Sequence, residues 1–337
     1  MTTDRTSSGA QPCELSRLKR RQFLVLAGVA GAGFPCIRRT FGAGITRPVL
    51  SIGLIADPQY ADKDSAGTRF YRQSVGKLES VVSHFNRLEL AFCVNLGDLI
   101  DREWKNYDAI LEALAASRHR FHHVLGNHDF EVSSDLKARV PARLGLAQRF
   151  HAIERAGWCF VMLDTTDVSL YAHPESTPEH AEAAVALKRL ADTGAANAQT
   201  WNSALGGRQL RWFDAVSKAA ANEGRRVIVF AHHPVHPGGA HTLWNAPDVL
   251  DVLDRNRNIV AWFNGHNHAG AWGVRNGVPF VTLDGMVETR DANAYAVLNL
   301  YADHFELVGH GRQPSRTAPF GPAVPSSSAE SHTRALP

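Results

Sequence analysis

Five short polar motifs occur in order along this sequence, and each of them directly follows an apolar run. Together they offer carboxylate, carboxamide and imidazole groups, a mixed oxygen and nitrogen set that suits Mn, Fe or Zn better than Ca or Mg. A carboxylate can bridge two cations about 3.5–4 Å apart, the arrangement used for two-metal phosphoryl transfer. The motifs are Asp57-Pro58-Gln59, Gly97-Asp98-Leu99-Ile100-Asp101, Gly126-Asn127-His128-Asp129, His232-His233-Pro234 and Gly265-His266-Asn267-His268.

Each motif alone also has an ordinary structural interpretation. A carboxylate that follows a strand is usually only a loop residue. Paired imidazoles at a strand end form hydrogen bonds within the protein about as often as they bind a metal. The segments 126–129 and 265–268 are harder to explain by packing, since an extended chain puts His266 and His268 on one face. Five such motifs in this order, each at a strand end, favour a metal site.

Short apolar runs alternate with segments of helical periodicity from residue 49 onward, and a hairpin turn follows at Asn276-Gly277. This order predicts a single α/β domain, layered and built on mixed sheets. In such sheets ligands gather outside the carboxyl ends of strands, where loops converge on one crevice. We expect strands near 49–56, 90–96, 121–125, 149–154, 158–163, 227–231, 259–264, 272–274, 278–283, 295–300 and 305–308, and helices near 71–88, 104–117, 179–191, 207–221 and 247–255.

Charge is divided unevenly along the 337 residues. The first 43 residues carry seven Lys and Arg against two acids, so the formal charge of +3 for the whole chain becomes −2 for residues 44–337. We therefore expect no nucleic-acid partner, because the remaining chain lacks a basic stripe. With 44% apolar residues over its whole length, the chain can bury the core of a globular domain.

The N-terminal segment has the pattern of a secretory signal. Lys19-Arg20-Arg21-Gln22-Phe23-Leu24 precedes the apolar run Val25–Gly33, and paired arginines before Phe-Leu resemble the twin-arginine type. The run is shorter than the ~20 residues that span a bilayer. We expect residues 1–43 to be a leader, the protein to be exported to the periplasm or the extracellular space, and no stable membrane anchor to remain. An amphipathic or disordered arm is the alternative.

The C-terminal segment and the cysteines give two further expectations. Residues 313–337 are rich in Pro, Ser and Ala and predict a disordered tail, which leaves 44–312 as the domain. Cys93 and Cys159 lie in apolar, strand-like runs, so buried free thiols are favoured, although the sequence leaves a disulfide open. The oligomeric state is not predicted.

The ordered motifs resemble the calcineurin-like metallophosphoesterase superfamily over roughly residues 50–312. A narrower resemblance is to the manganese-dependent ADP-ribose/CDP-alcohol diphosphatase group, with Gln59 in place of the histidine usual in the superfamily. Two departures, Asp129 and Asp284 where that group has Glu, preserve charge. The resemblance implies a four-layer α-β-β-α sandwich with two mixed sheets. The narrower resemblance rests on residues 52–74, 164–177, 201–213, 282–289 and 309–314.

By position, the resemblance implies a site for two divalent ions, with Mn foremost and Fe or Zn as alternatives. His128 would protonate or stabilise the leaving oxygen, Asp129 would orient His128, and Asp101 would support the site. His233, His236 and His241 are interpreted as loop residues. One ion would be held by Asp57, Gln59, Asp98 and His268, and the other by Asp98, Asn127, His232 and His266.

The implied activity is hydrolysis of the phosphoanhydride in small nucleoside diphosphate derivatives, such as ADP-ribose or CDP-alcohols, by a hydroxide that the cations activate. Arg69, Tyr71 and Arg72 either contact the phosphate or base of this substrate or form a solvated helix start. A phosphomonoester or cyclic phosphodiester substrate is the alternative on the same fold. A non-catalytic phosphate- or metal-binding envelope protein is the alternative of another class, and the complete ligand set with His128 argues against it.

Overall fold

Residues 47–321 are described by a computed structural model, and the predicted leader and the end of the predicted tail lie outside them. The described part contains twelve strands and six α-helices. The strands are β1 (Leu50–Ile55), β2 (Phe92–Asn95), β3 (Phe121–His123), β4 (His151–Arg155), β5 (Trp158–Met162), β6 (Arg226–Phe230), β7 (Ile259–Asn264), β8 (Ala269–Arg275), β9 (Val278–Asp284), β10 (Ala294–Leu300), β11 (His304–Gly311) and β12 (Arg316–Pro319). The helices are α1 (Gln73–Phe85), α2 (Asn106–Ala115), α3 (Val140–Arg143), α4 (Pro178–Ala191), α5 (Gly207–Asn222) and α6 (Ala246–Arg255).

The first sheet has the strand order β12-β11-β10-β1-β2-β3. Strands β1, β2 and β3 are parallel, whereas β10, β11 and β12 join them through antiparallel pairs. In the register of β1, Leu50 pairs with Leu300 of β10 and Ile55 pairs with Asn95 of β2. The carboxyl ends of β1, β2 and β3 therefore lie side by side at one edge of this sheet.

The second sheet has the strand order β4-β5-β6-β7-β9-β8. Its four central strands are parallel, and β4 and β8 are antiparallel strands at the two edges. Strand β5 is buried along its whole length, which explains why it reads as a continuous apolar run rather than an alternating one. Both sheets are mixed, as the sequence predicts.

The two sheets pack face to face around an apolar core to which both contribute, for example Leu54 from the first sheet and Phe230 from the second. Helices α1 and α2 cover the outer face of the first sheet, and α5 and α6 cover that of the second. In α1, the buried residues Leu78, Val81, Val82 and Phe85 recur at the spacing of one helical face. The predicted four-layer α-β-β-α sandwich is confirmed.

Strand β12 lies inside the segment predicted to be a disordered tail. It pairs with β11 through Ala318 and Phe305, and the ring of Phe320 lies 4.9 Å from that of Trp158. The predicted domain boundary at residue 312 is therefore wrong, because backbone pairing and an aromatic contact fix a stretch that composition alone predicts to be disordered.

Both cysteines of the described residues lie in strands, Cys93 in β2 and Cys159 in β5. Cys93 and Cys159 are both buried and free, so the thiol prediction is confirmed. Between residues 47 and 321, no helix has both the length and the apolar character that crossing a bilayer requires.

Candidate metal centre

The predicted motifs meet at one crevice between the two sheets. Asp57 follows β1, Asp98 follows β2 and Asn127 follows β3, all in the first sheet. His232 follows β6 and His266 follows β7, both in the second sheet. The carboxyl ends of the parallel strands β1, β2 and β3 of the first sheet and β6 and β7 of the second sheet therefore converge here.

Four of the seven predicted ligand residues have a left-handed backbone. The φ angles are 51° at Asp57, 44° at Gln59, 55° at Asp98 and 70° at His266. For residues with a Cβ this conformation costs of order 1–3 kcal/mol each, and it concentrates at functional sites. Hydrogen bonds hold it in place, since the backbone N–H of Gln59 donates to the carbonyl of Asp98 at 2.8 Å.

The first predicted ligand set comes together around Gln59. Its Nε2 lies 3.0 Å from Oδ2 of Asp98 and 3.0 Å from Nε2 of His268. Nε2 of His268 is also 3.7 Å from Oδ1 of Asp57. Among the described residues, Oε1 of Gln59 is buried without a hydrogen-bond partner. Turning the carboxamide over would aim this oxygen at the carboxylate and imidazole, which suits a cation between them.

The second set lies on the other side of the Asp98 carboxylate. Nε2 of His232 is 3.4 Å from Oδ2 of Asp98 and 3.1 Å from Oδ1 of Asn127. Nδ1 of His266 is 3.0 Å from the same Asn127 oxygen and 3.2 Å from Nε2 of His232. Asp98 therefore contacts members of both sets, as a residue shared by two cations must.

Hydrogen bonds to the ring nitrogens that face away from the site fix the orientation of the imidazoles, as is usual for histidines that bind metals. Nδ1 of His232 donates to the carbonyl of Leu96 at 2.8 Å, which leaves Nε2 facing the site. Nε2 of His266 lies 3.0 Å from Oδ1 of Asn202, whose Nδ2 donates to two backbone carbonyls. His266 therefore turns its Nδ1 lone pair toward Asn127, and a cation would reconcile these two facing acceptors.

The third imidazole, His268, donates from Nδ1 to Oε1 of Glu288 at 2.7 Å. This hydrogen bond is the main reason why the pKa of Glu288 falls to about 2. A carboxylate on Nδ1 directs the lone pair of Nε2 into the site and makes it a stronger donor to a metal. The residues present thus fit two divalent cations.

The pKa shifts of the ligand residues also support a site for cations. Burial is the largest cause that raises the pKa of Asp57, and the nearby Asp98 carboxylate raises it further. Burial opposes a charge on His232, but Asp98 and Asp57 outweigh it and raise the pKa of His232 to about 9. A proton on His232 offsets these acids in the absence of metal, and a cation would displace it. His266 stays neutral, because burial and its histidine neighbours lower its pKa well below the usual value.

His128 lies beside this site with its Nδ1 held by two carboxylates. Nδ1 is 3.0 Å from Oδ1 of Asp101 and 3.0 Å from Oε1 of Glu131. Burial lowers the pKa of His128, but Asp98, Asp101 and Glu131 together raise it well above 6.5. These carboxylates therefore favour the charged form of the imidazole, which can give up a proton.

Asp129 does not orient His128, so this predicted role is wrong. Its carboxylate is fully buried and accepts hydrogen bonds from the backbone N–H groups of Leu99 at 2.9 Å and Gly126 at 2.9 Å. A third bond comes from the backbone N–H of Asp98. His128 and Asp129 share a 3-10 turn, in which adjacent side chains diverge. Asp101 and Glu131 orient the imidazole instead.

Of the three predicted substrate residues, the structure places only Arg69 in the cavity over the site. Tyr71 is buried against Ala61 and Val287. Arg72 is exposed and pairs with Asp62 at 2.7 Å and with Asp64. Arg72, directly before α1, therefore fits the alternative interpretation of a solvated helix start, whereas the buried Tyr71 fits neither interpretation.

The cavity has a volume of about 370 Å³ and includes residues that the sequence did not place in the site. Trp201 and His241 line it, and Glu131 lies at His128. His233, expected to be a loop residue, is fully buried, with its ring 4.1 Å from that of His266 and its Nδ1 2.8 Å from Oγ1 of Thr165.

A carboxylate shared by two sets of nitrogen and oxygen ligands, at the junction of two stacked mixed sheets, defines the class of metal-dependent phosphoesterases. A family model agrees with this class. The model for calcineurin-like phosphoesterases matches residues 50–270, and the chain belongs to that family. It is therefore a metal-dependent hydrolase, as the sequence predicts.

Individual relatives support the narrower resemblance. The chain is 30% identical to the manganese-dependent ADP-ribose/CDP-alcohol diphosphatase of Danio rerio over 319 residues, which cover 81% of this chain and 99% of the relative. A protein of the same name from Arabidopsis thaliana is 29% identical, covering 81% of this chain and 98% of the relative. The crystal structure of a dimetal phosphatase from Danio rerio aligns with a TM-score of 0.75 and 29% identity, covering 81% of this chain and all of that one.

Proposed function

We propose that this protein hydrolyses the phosphoanhydride bond of small nucleoside diphosphate derivatives, such as ADP-ribose or CDP-alcohols, with two Mn²⁺ ions. The observation that carries the proposal is the contact of Asp98 with both ligand sets, beside His128 on the cavity wall. The names of the relatives support both the metal and the substrate class.

When bound, two such cations activate water and neutralise the charge that develops on a transferred phosphoryl group. Asp57, Gln59, Asp98 and His268 would hold one cation, and Asp98, Asn127, His232 and His266 the other. His128 gives a proton to the leaving oxygen. In an anhydride this oxygen belongs to the phosphate that is released. Asp101 and Glu131 keep that imidazole charged and fix its direction.

The cavity supports a nucleoside phosphate as substrate. Its volume of about 370 Å³ is that of a small-molecule site. Trp201, 43% exposed, offers an aromatic face to a base, and Arg69 offers a cation to a phosphate. The formal charge of −2 on residues 44–337 gives no support to a long nucleic-acid substrate.

A substrate panel with metal analysis on the same sample tests the proposal. With Mn²⁺, the protein is expected to hydrolyse ADP-ribose or CDP-choline faster than 3′,5′-cyclic AMP or an aryl phosphate. If the aryl phosphate reacts fastest, the protein is a phosphomonoesterase and the proposal is wrong. If cyclic AMP reacts fastest, a cyclic phosphodiesterase is favoured instead. No hydrolysis of any of the four, with two metals bound, would favour a binding protein.

We also propose that the protein is exported through the twin-arginine pattern at residues 19–24. Support comes from the paired arginines and the short apolar run after them. Replacing Arg20 and Arg21 by Lys is expected to keep the full chain in the cytoplasm, which cell fractionation detects. Export of that variant equal to the unchanged chain would contradict the twin-arginine assignment.

A further inference from the structure

A second cavity opens beside the first and shares four of its residues. It has a volume of about 460 Å³, and Arg69, His241, His266 and His268 line both cavities. We call this second cavity the distal lobe, and it adds Thr68, Asn267, Ala269, Glu288, Thr289 and Arg312. Since His268 belongs to a predicted ligand set, the distal lobe begins where a reacting phosphorus would lie.

Two arginines give the distal lobe its cationic groups. Nε of Arg69 is 3.9 Å from Oε1 of Glu288, and Nη1 of Arg312 is 3.6 Å from Oδ2 of Asp284. Both distances exceed that of a hydrogen bond, so these donors are not used by the carboxylates. The Glu288 oxygen already accepts from His268.

The guanidinium of Arg312 uses only some of its N–H groups in hydrogen bonds within the described residues. Its Nη2 donates to the carbonyl of Gly285, which fixes the guanidinium at one nitrogen. Its Nε is buried and has no hydrogen-bond partner within residues 47–321. With Nη2 held by Gly285 and Nη1 too far from Asp284 for a hydrogen bond, the guanidinium keeps a donor for an oxyanion, and phosphate matches its planar fork.

We propose that Arg69 and Arg312 form a subsite for the second, uncleaved phosphate of a diphosphate substrate. This inference rests on the proposed function, and it explains why the protein would prefer a diphosphate substrate to one with a single phosphate. Trp201 lines only the first cavity and Arg312 only the distal lobe. The base thus lies at one end, the attacked phosphate over the metal centre, and the second phosphate at the arginines.

Kinetics on two substrates test the subsite. In Arg312→Gln and Arg69→Gln, the ratio of kcat/KM for ADP-ribose to kcat/KM for bis(p-nitrophenyl) phosphate is expected to fall about ten- to a hundred-fold, mainly through KM. The diester has a single phosphorus and cannot use the subsite. Arg257→Gln, at an exposed arginine outside both cavities, is the matched control and keeps the ratio. An unchanged ratio in both arginine variants would overturn the proposal.

Binding gives a readout that does not depend on hydrolysis. With Mn²⁺ present, the wild-type protein is expected to bind methylenediphosphonate more tightly than methylphosphonate in calorimetry, and both arginine variants are expected to lose this preference. Arg69 is more than a third exposed, so its variant remains informative even if loss of the Gly285 contact unfolds Arg312→Gln. A wild type that ignores ADP-ribose but retains the arginine-dependent preference would refute the proposed function and not the subsite. Equal preference in wild type and variants would refute the subsite alone.

Discussion

The carboxylate of Asp129 accepts a hydrogen bond from the backbone N–H of Asp98 at 3.1 Å. The same carboxylate accepts two more hydrogen bonds, from the backbone N–H groups of Leu99 and Gly126. One buried side chain therefore connects the loop after β2 to the loop after β3. These loops present Asp98 and Asn127 to the metal centre. Asp129 therefore acts on the site through the backbone.

Asp129→Ala is expected to lower the free energy of unfolding by about 3 kcal/mol, because three buried N–H groups lose their acceptor. Bound Mn²⁺ per chain should fall as well, since Asp98 is released. Urea denaturation and metal analysis measure both effects. Asp135→Ala, at an exposed acid, is the control and should stay within about 0.5 kcal/mol of wild type. A stable, fully metallated Asp129→Ala protein would contradict the assignment.

Glu288→Gln is expected to weaken Mn²⁺ binding about ten- to a hundred-fold, because the partner of the His268 imidazole loses its charge while its volume is kept. Calorimetric titration of the metal-free protein provides the affinity. Glu79→Gln on the exposed side of α1 serves for comparison and should bind Mn²⁺ normally. The role of Glu288 is refuted if the two variants have the same affinity.

Asp101→Asn is expected to lower kcat about ten- to a hundred-fold while two metals stay bound, because the charged form of His128 loses a partner. Glu131→Gln should have a smaller effect, since that side chain is 35% exposed and water screens it. Steady-state kinetics with metal analysis separate the two outcomes. Asp135→Asn is the control, and loss of metal in Asp101→Asn would show instead that Asp101 holds the centre together.

The thiols of Cys93 and Cys159 are expected to be inert in the folded protein. Burial raises their pKa from 9.0 to about 12 and about 11. Since unfolded thiols ionise near pH 9, folded stability should fall as the pH rises above that value. In a Cys13→Ser/Cys36→Ser chain, Ellman's reagent should label neither thiol at pH 8 and both in guanidinium. Fast labelling of the native protein would contradict this burial.

The ligand set was predictable because every member follows an apolar strand. Parallel strands end at one edge, so sequence position alone brings Asp57, Asp98 and Asn127 together. The supporting residues were not predictable in this way. Glu288 and Asn202 lie in loops whose approach depends on tertiary packing, although both fall in stretches that carry the narrower resemblance.

Two errors have local physical causes. Asp129 follows His128 in sequence, but a 3-10 turn sends the two side chains in different directions. Strand β12 has the sequence Arg-Thr-Ala-Pro, which lacks the alternation of a half-buried strand, so only its pairing with β11 identifies it. In both cases the missing information is three-dimensional.

The pairing of β1 with β10 has a consequence for how the chain reaches this structure. The hydroxyl of Ser51 donates to Oδ1 of Asn299 at 2.7 Å, across 248 positions of sequence. The second sheet is built entirely from the chain between these two strands. A ribosome must therefore make nearly the whole domain before the first sheet can close. Contacts so distant in sequence fold slowly, so the newly made protein spends an extended time with an open sheet edge.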